Sequence, residues 1–324
     1  YPILREVLID SYPMYIMKPI YVIALLLAGI TLTASAQDSG TLPVLSQNPD
    51  ALSAAMGQTG GSTLSGGHYI YSAPGAVFDR SERFSLSYTG IIGTGHDSMW
   101  SGSGFYNAVT GSWRFRDKHA LIAGFRYLGG GSVLTSTESG DGREIHPMDI
   151  TADLGYALRI NNHWRAYVVG HFVESYIGKI ALTGGGSLGA TYGSRLSSVP
   201  LGYTLGASLR NLGGAVLYGK KSGKYSMPGS VTLAGDLRYG LTSEWTLLAA
   251  VTGDYLVQPA SAKQYAVGVG LGAAFLDVMS FQLGGTILPG RYFLTGGLGC
   301  QPIPNVSLGL SCRVAPQQRE TNHL

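Results

Sequence analysis

The stretch Asp149 to Tyr176, DITADLGYALRINNHWRAYVVGHFVESY, decides the fold. In its first half Ile150, Ala152, Leu154, Tyr156 and Leu158 fall on one side of an extended chain, and Asp153 and Gly155 on the other. In its second half Trp164, Ala166, Val168, Gly170 and Phe172 face one way, and Arg165, Tyr167 and His171 the other. A period of two is the strand period, because successive side chains point to opposite faces. Asn161-Asn162 joins the two arms by a tight turn, which makes the pair a hairpin. Each arm is close to the roughly 9–11 residues that a tilted strand needs to cross a bilayer.

The same texture extends in both directions. Upstream lie 83–91, 105–115 and 119–129; downstream lie 202–213, 229–241, 244–257, 264–276, 279–288, 291–300 and 305–314. Shorter candidates near 68–78 and 177–193 bring the expectation to about fourteen strands. One face of each run is apolar, and the other carries Gly, Ser, Thr and scattered charge, the pattern of a barrel with lipid outside and a mixed lumen. Connections at 116–118, 161–162, 242–243 and 289–290 are short, and those at 93–104, 129–147 and 215–227 are long. Short periplasmic turns and long outward loops give that alternation. Arg126, Asp153, Arg159, Arg165, Glu174, Arg210, Asp236, Arg238 and Asp254 fall in strands and are expected inside or near the interfaces, because an Arg or Lys facing mid-bilayer lipid costs roughly 2–4 kcal/mol.

Composition agrees. The 324 residues include 48 Gly and 20 Tyr, and only 13% are charged, about half the share of a typical soluble protein. Tyr favours the membrane–water boundary. A secreted β-rich adhesin or sandwich is the other class with this composition. The net charge of +3 and the lack of any Lys/Arg run give no argument for nucleic acid. Cys300 and Cys312 would pair only if adjacent final strands bring them within bridging range.

From Met17 the chain reads MKPIYVIALLLAGITLTASAQ. Lys18, the apolar run Ile20 to Leu32 and the small residues Ala34-Ser35-Ala36 form a secretory signal with Gln37 as the new N-terminus. The expected organisation is therefore an upstream segment 1–16, a signal peptide 17–36, an N-terminal plug or hatch 37–78, a barrel 79–314 and a tail 315–324. Within 37–78, PDALSAAM is expected to form two helical turns, with Pro49 in the first turn and Gly57 as the stop.

The motif residues resemble a known family. Pro49-Asp50-Ala51 followed by Ala55-Met56-Gly57-Gln58-Thr59-Gly60 resembles the N-terminal signature of the PorV/PorQ proteins, and Tyr71 to Gly75, with Pro74, resembles the motif that follows it. Leu205 to Gly213, with Asn211 and Gly213, and Met227 to Gly235, with Pro228, resemble two of that family's strands. The resemblance implies a single closed antiparallel outer-membrane barrel of FadL-like type, all-β, with its N-terminal segment in or near the lumen. It implies a non-enzymatic docking or shuttle component of type IX protein secretion or cell-surface attachment. Its partners would be outer-membrane lipid, secretion or attachment subunits and exported cargo. A FadL-like channel that takes a hydrophobic ligand is the alternative.

No cofactor or metal is expected, and no catalytic set has useful spacing. His146, near Glu144 and Asp149, reads as a solvated loop residue. The runs Gly129-Gly130-Gly131 and Gly184-Gly185-Gly186 lack the Lys-Ser/Thr ending of a phosphate loop and read as turns. An outer-membrane lipase needs a Ser/His pair on adjacent strands, and His171 with Ser175 offers that pairing in name alone.

Overall fold

A computed structural model of the chain describes residues 42–93, 104–135, 142–196, 199–219, 224–262, 264–276 and 278–315. The expected upstream segment, the signal peptide with Ala34 and Ala36, Gln37, and residues 316–324 of the tail lie outside the described residues.

Among the described residues seventeen strands follow one another: β1 (Phe84–Gly93), β2 (Gly104–Phe115), β3 (His119–Gly129), β4 (Val133–Thr135), β5 (Arg143–Ile145), β6 (Met148–Arg159), β7 (Trp164–Tyr176), β8 (Ile180–Arg195), β9 (Leu201–Gly213), β10 (Ala215–Val216), β11 (Tyr225–Ser226), β12 (Gly229–Gly240), β13 (Trp245–Gln258), β14 (Tyr265–Phe275), β15 (Met279–Leu288), β16 (Arg291–Ile303) and β17 (Val306–Val314). Thirteen of them form one antiparallel sheet in the order β1-β2-β3-β6-β7-β8-β9-β12-β13-β14-β15-β16-β17. The other four make two small hairpins, β4–β5 and β10–β11, within two of the long connections. The hairpin quoted first is β6–β7, with Asp153 opposite His171.

The alternation holds. Along β2 the buried residues Tyr106, Ala108, Thr110 and Ser112 interleave with exposed Phe105, Val109 and Trp113. Leu86, Leu154, Leu271, Leu283 and Leu310, each more than 60% exposed, lie on the outward face of five strands. That face is far larger than the scattered apolar surface of an ordinary soluble protein.

One expectation is corrected. Among the described residues the main sheet has thirteen strands, not about fourteen. The difference is residues 68–78, which are helical: α2 (Tyr69–Ser72) is followed by a 3-10 helix, Pro74–Phe78. Pro74 at its first position has no N–H to give a ladder and a φ already suited to a helix. Closure is not detected: among the described residues β1 and β17 are sheet ends and are not paired with each other. An odd strand number sends β1 and β17 in the same direction, so a seam between them would be parallel.

Strand order divides the connections between two ends of the sheet. One end carries 116–118, 160–163, 196–200, 241–244, 276–278 and 304–305, all short. The other carries the three long connections, 94–103, 130–147 and 214–228. The two-residue turn 289–290 sits at this second end, not among the short turns where the sequence alone had put it. Arg116, Asp117 and Asn305 take φ of 51°, 55° and 67° in tight turns of the short end. Trp113, Trp164 and Trp245 gather there too, in contact with Phe115, Tyr192 and Phe275 at ring separations of 5.3, 5.2 and 4.9 Å.

Cys300 and Cys312 are free and exposed. They are on adjacent strands, but Cys300 lies opposite Leu308 and Cys312 opposite Gly296. Four residues of strand rise, roughly 13 Å, separate each from its partner's level, against a bridging limit of about 7 Å. Maleimide without reductant should therefore add two adducts to the folded chain; one or none in the mass spectrum would contradict this register.

Candidate functional site

The site is built by the segment that precedes the sheet. Asp50 is its organising residue. It caps α1 (Ala51–Ala55) by accepting from Ser53 N at 3.0 Å. The same carboxylate accepts from Ser65 Oγ at 2.7 Å, from Gly66 N at 2.8 Å and from His68 N at 3.2 Å. Asp50 is fully buried, so those donors replace the water it has lost. Pro49 precedes the cap instead of occupying the first helical turn, a small correction to the sequence reading. Gly57 does end the helix, at φ 76°, where a side chain would be strained.

Alpha-helix α1 and the residues after it lie directly on the sheet. A Cβ at Gly270 of β14 would overlap the Met56 backbone, and one at Gly284 of β15 would overlap Gly57. Met56 itself is buried with Leu64 and Ala250. Threonines pointing inward meet the segment's backbone groups. Thr295 Oγ1 accepts from Gly57 N and donates to Ala55 O, both at 2.9 Å. Thr286 Oγ1 donates to Gly57 O at 2.8 Å, and Thr252 Oγ1 bonds both Gly60 N and Gly60 O at 3.0 Å. Asp236 accepts from Thr63 N at 2.9 Å. The segment also reaches both ends of the sheet, with Ala51 against Gly309 of β17 and His68 Nε2 2.8 Å from Thr89 of β1. Burial lowers the pKa of His68, with Asp50 acting in the opposite direction.

At the short-turn end Arg165 grips Asp79 in two contacts, and Arg159 donates to Phe78 O. Burial raises the pKa of Asp79, and Arg165 offsets part of that rise. Toward the middle Arg126 and Asp153 form a buried pair at 3.3 Å. Arg126 Nε also donates to Thr151 at 2.9 Å, and its guanidinium stands 4.2 Å above the Tyr71 ring. Tyr71 OH donates to Asp153 Oδ2 at 2.6 Å. Arg126→Ala should cost about 3–5 kcal/mol, because it leaves a buried carboxylate without its cation. Urea unfolding of the detergent-solubilised variant checks this, and a loss under 1 kcal/mol would contradict it.

Between the segment and the sheet lies a cavity of about 880 Å³. Leu128, Leu256 and Phe293 give it apolar wall, while Arg126, His171 and Asp254 give it polar wall. These residues place it toward the end with the long connections, whereas Pro74–Phe78 fill the short-turn end.

The motif residues come to rest in two groups. Asp50, Met56, Gly57 and Gly60 belong to the docking of the segment, and Pro74 starts the 3-10 helix. Asn211 and Pro228 line the cavity, and Gly213 O accepts from Gln258 Nε2 at 3.0 Å. Sequence reasoning missed His171 Nε2 at 2.8 Å from Ser187. Ser175, its nominal partner, bonds Asp149 and Tyr218 instead. The signal available was that Ser187, like His171, sits on the inward face of the adjoining strand. No group of three His, Cys, Asp or Glu among the described residues could hold a metal ion.

The sequence matches no protein-family profile and no curated protein. Its fold is similar to that of solved channel structures. A structure titled CymD monoaromatic hydrocarbon channel superposes with TM-score 0.51 at 11% identity, covering 83% of this chain and 93% of that one. The Pseudomonas putida toluene transporter TodX gives 0.51 at 13% identity over 81% and 91%. A TodX deltaS2 mutant, also titled a monoaromatic hydrocarbon channel, gives 0.53 at 14% over 81% and 91%.

Proposed function

We propose that this chain is an outer-membrane channel for small hydrophobic molecules. The observation that carries the reading is the cavity of about 880 Å³ held between the N-terminal segment and the inner face of the sheet. A solute enters from the long-loop end, rests against Leu128, Leu256 and Phe293, and passes when the segment yields. The sheet closes into a barrel with residues 37–78 as its plug, and the exposed leucines meet lipid. The tryptophans at the short-turn end support that placement, since indole favours the membrane boundary. The likeness in fold to hydrocarbon channels also supports it.

The PorV/PorQ-like docking reading is the second. It rests on motif residues whose contacts lie within the chain: Asp50, Met56, Gly57 and Gly60 all serve the segment's own packing. The channel reading is therefore preferred.

The test is uptake of radiolabelled toluene by a Gram-negative host without hydrophobic channels of its own. Expression of the chain should raise the initial rate several-fold over empty vector. No rise, with folded protein present in the outer membrane, overturns the proposal. Recovery of secretion or attachment subunits with the detergent-solubilised chain, in the same experiment, would favour docking.

A further inference from the structure

Three side chains on consecutive strands stand side by side: Asp153 on β6, buried, and His171 on β7 and Ser187 on β8, which line the cavity. His171 Nδ1 is 2.6 Å from Asp153 Oδ1, and His171 Nε2 is 2.8 Å from Ser187 Oγ. Register produces the row. Asp153 is directly opposite His171, and His171 is opposite Gly185, two residues before Ser187 on the same face of β8. With no side chain at Gly185, the imidazole reaches the diagonal hydroxyl.

Asn211 N donates to Ser187 Oγ at 2.9 Å, which leaves the hydroxyl its own proton to give. In the imidazole tautomer that carries its proton at Nδ1, toward Asp153, Nε2 is the acceptor for that hydroxyl. Asp153 is in turn held by Arg126, Tyr71 and Thr151. The result is a serine hydroxyl bonded to a base that is itself oriented by a buried carboxylate.

The backbone is irregular at this same point. The β8–β9 register shifts between Gly186 and Leu188. Asn211, on the facing strand, takes φ 52°, a conformation that a non-glycine side chain strains to hold. Bulges and strained residues of this kind aim side chains at functional sites. His171, Ser187 and Asn211 all line the cavity.

We propose that Ser187 is a nucleophile, with His171 its general base and Asp153 a positioning residue, and that the cavity takes small carboxylic esters. Ser187 Oγ attacks the ester carbonyl carbon while its proton moves to His171 Nε2. The adduct collapses by breaking the carbonyl carbon–alkoxy bond, and the leaving alcohol takes the proton from Nε2. Water then attacks the acyl-serine, gives a proton to His171, and releases the carboxylic acid as Oγ regains that proton. The net change is ester plus water to acid plus alcohol. This activity goes beyond the channel reading and does not depend on it.

The test treats the detergent-solubilised full chain with a fluorophosphonate–biotin probe and, separately, with p-nitrophenyl butyrate. The expected result is one labelled peptide, bearing Ser187, and ester hydrolysis above background. Ser187→Ala should abolish both, and His171→Gln should slow both by about 100-fold or more. Asp153→Asn should displace the pH–rate profile, which a merely structural role would not do. Heat-modifiable migration on a gel verifies folding of each variant. Because Asp153→Asn also removes the partner of Arg126, Ser187→Ala and His171→Gln decide the matter if it fails to fold. A folded wild-type chain with Ser187 unlabelled, or with hydrolysis unchanged by Ser187→Ala, overturns the proposal.

Discussion

Asp50→Ala should free the N-terminal segment from its folded position at a cost of roughly 3 kcal/mol or more. The carboxylate is fully buried and gathers Ser53 N, Ser65 Oγ, Gly66 N and His68 N. Each hydrogen bond to a charged group contributes about 1.5–3 kcal/mol. The alanine variant also leaves the backbone donors of two buried residues, Ser53 and His68, without an acceptor, which adds their desolvation. The loss falls on the segment and not on the sheet, since every one of these donors lies between residues 53 and 68. Hydrogen exchange should show the Ser53, Gly66 and His68 amides exchanging about 100-fold faster or more, while β6 and β7 stay protected. Asp50→Asn keeps one acceptor oxygen and should lie between wild type and alanine. Unchanged exchange at Gly66 in the alanine variant would sink this account of the segment.

Gly270→Val is the second large effect. Gly270 faces inward between exposed Val269 and Leu271, and the space its side chain would occupy is filled by the Met56 backbone. Neither the helix end nor the paired strand can yield cheaply. Overpacking typically costs 1–3 kcal/mol and occasionally more; backbone against backbone belongs at the upper end, about 3 kcal/mol. That corresponds to roughly a 100-fold shift toward a displaced α1. A Ser53→Cys reporter, in a background with Cys300→Ser and Cys312→Ser, reads the shift. Ser53 is fully buried, so maleimide reaches the thiol only when α1 lifts. Labelling should accelerate about 100-fold with valine and little with Gly170→Ala, the control at a site where the nearest atom to the added Cβ would lie 3.9 Å away. Equal labelling rates in the Gly270→Val and Gly170→Ala variants would mean that α1 does not depend on that glycine.

The two variants act on the same contact from opposite sides. Asp50 shapes the segment, and the glycines of β14 and β15 admit it. If the channel reading holds, either change should also raise toluene uptake, because both loosen what stands between the cavity and the short-turn end.

Much of the fold was legible from residue order. Strand periodicity is a local property, since the side chain of each residue alternates whatever its partner is. His119–Gly129 and Met279–Leu288 were therefore placed with their observed bounds. The helix at Ala51–Ala55 was legible from the helix-forming run and the glycine stop, which act within a few residues; the Asp50 cap came from the structure. Residues 68–78 were misread as a strand. Tyr69, Ile70, Ala76, Val77 and Phe78 make an apolar stretch too short to show a helical period, and they are buried against β3, β6 and β7 in one cluster.

What the sequence by itself determined is the alternation of the long strands and the short helix stopped at Gly57, because backbone geometry and nearest neighbours suffice for both. Only the tertiary structure decided which inward residues meet. The row Asp153–His171–Ser187 depends on how β6, β7 and β8 align, and the separation of Cys300 from Cys312 depends on the register of β16 and β17. Register is settled by contacts between residues far apart in the chain, so a pattern read along one strand cannot contain it.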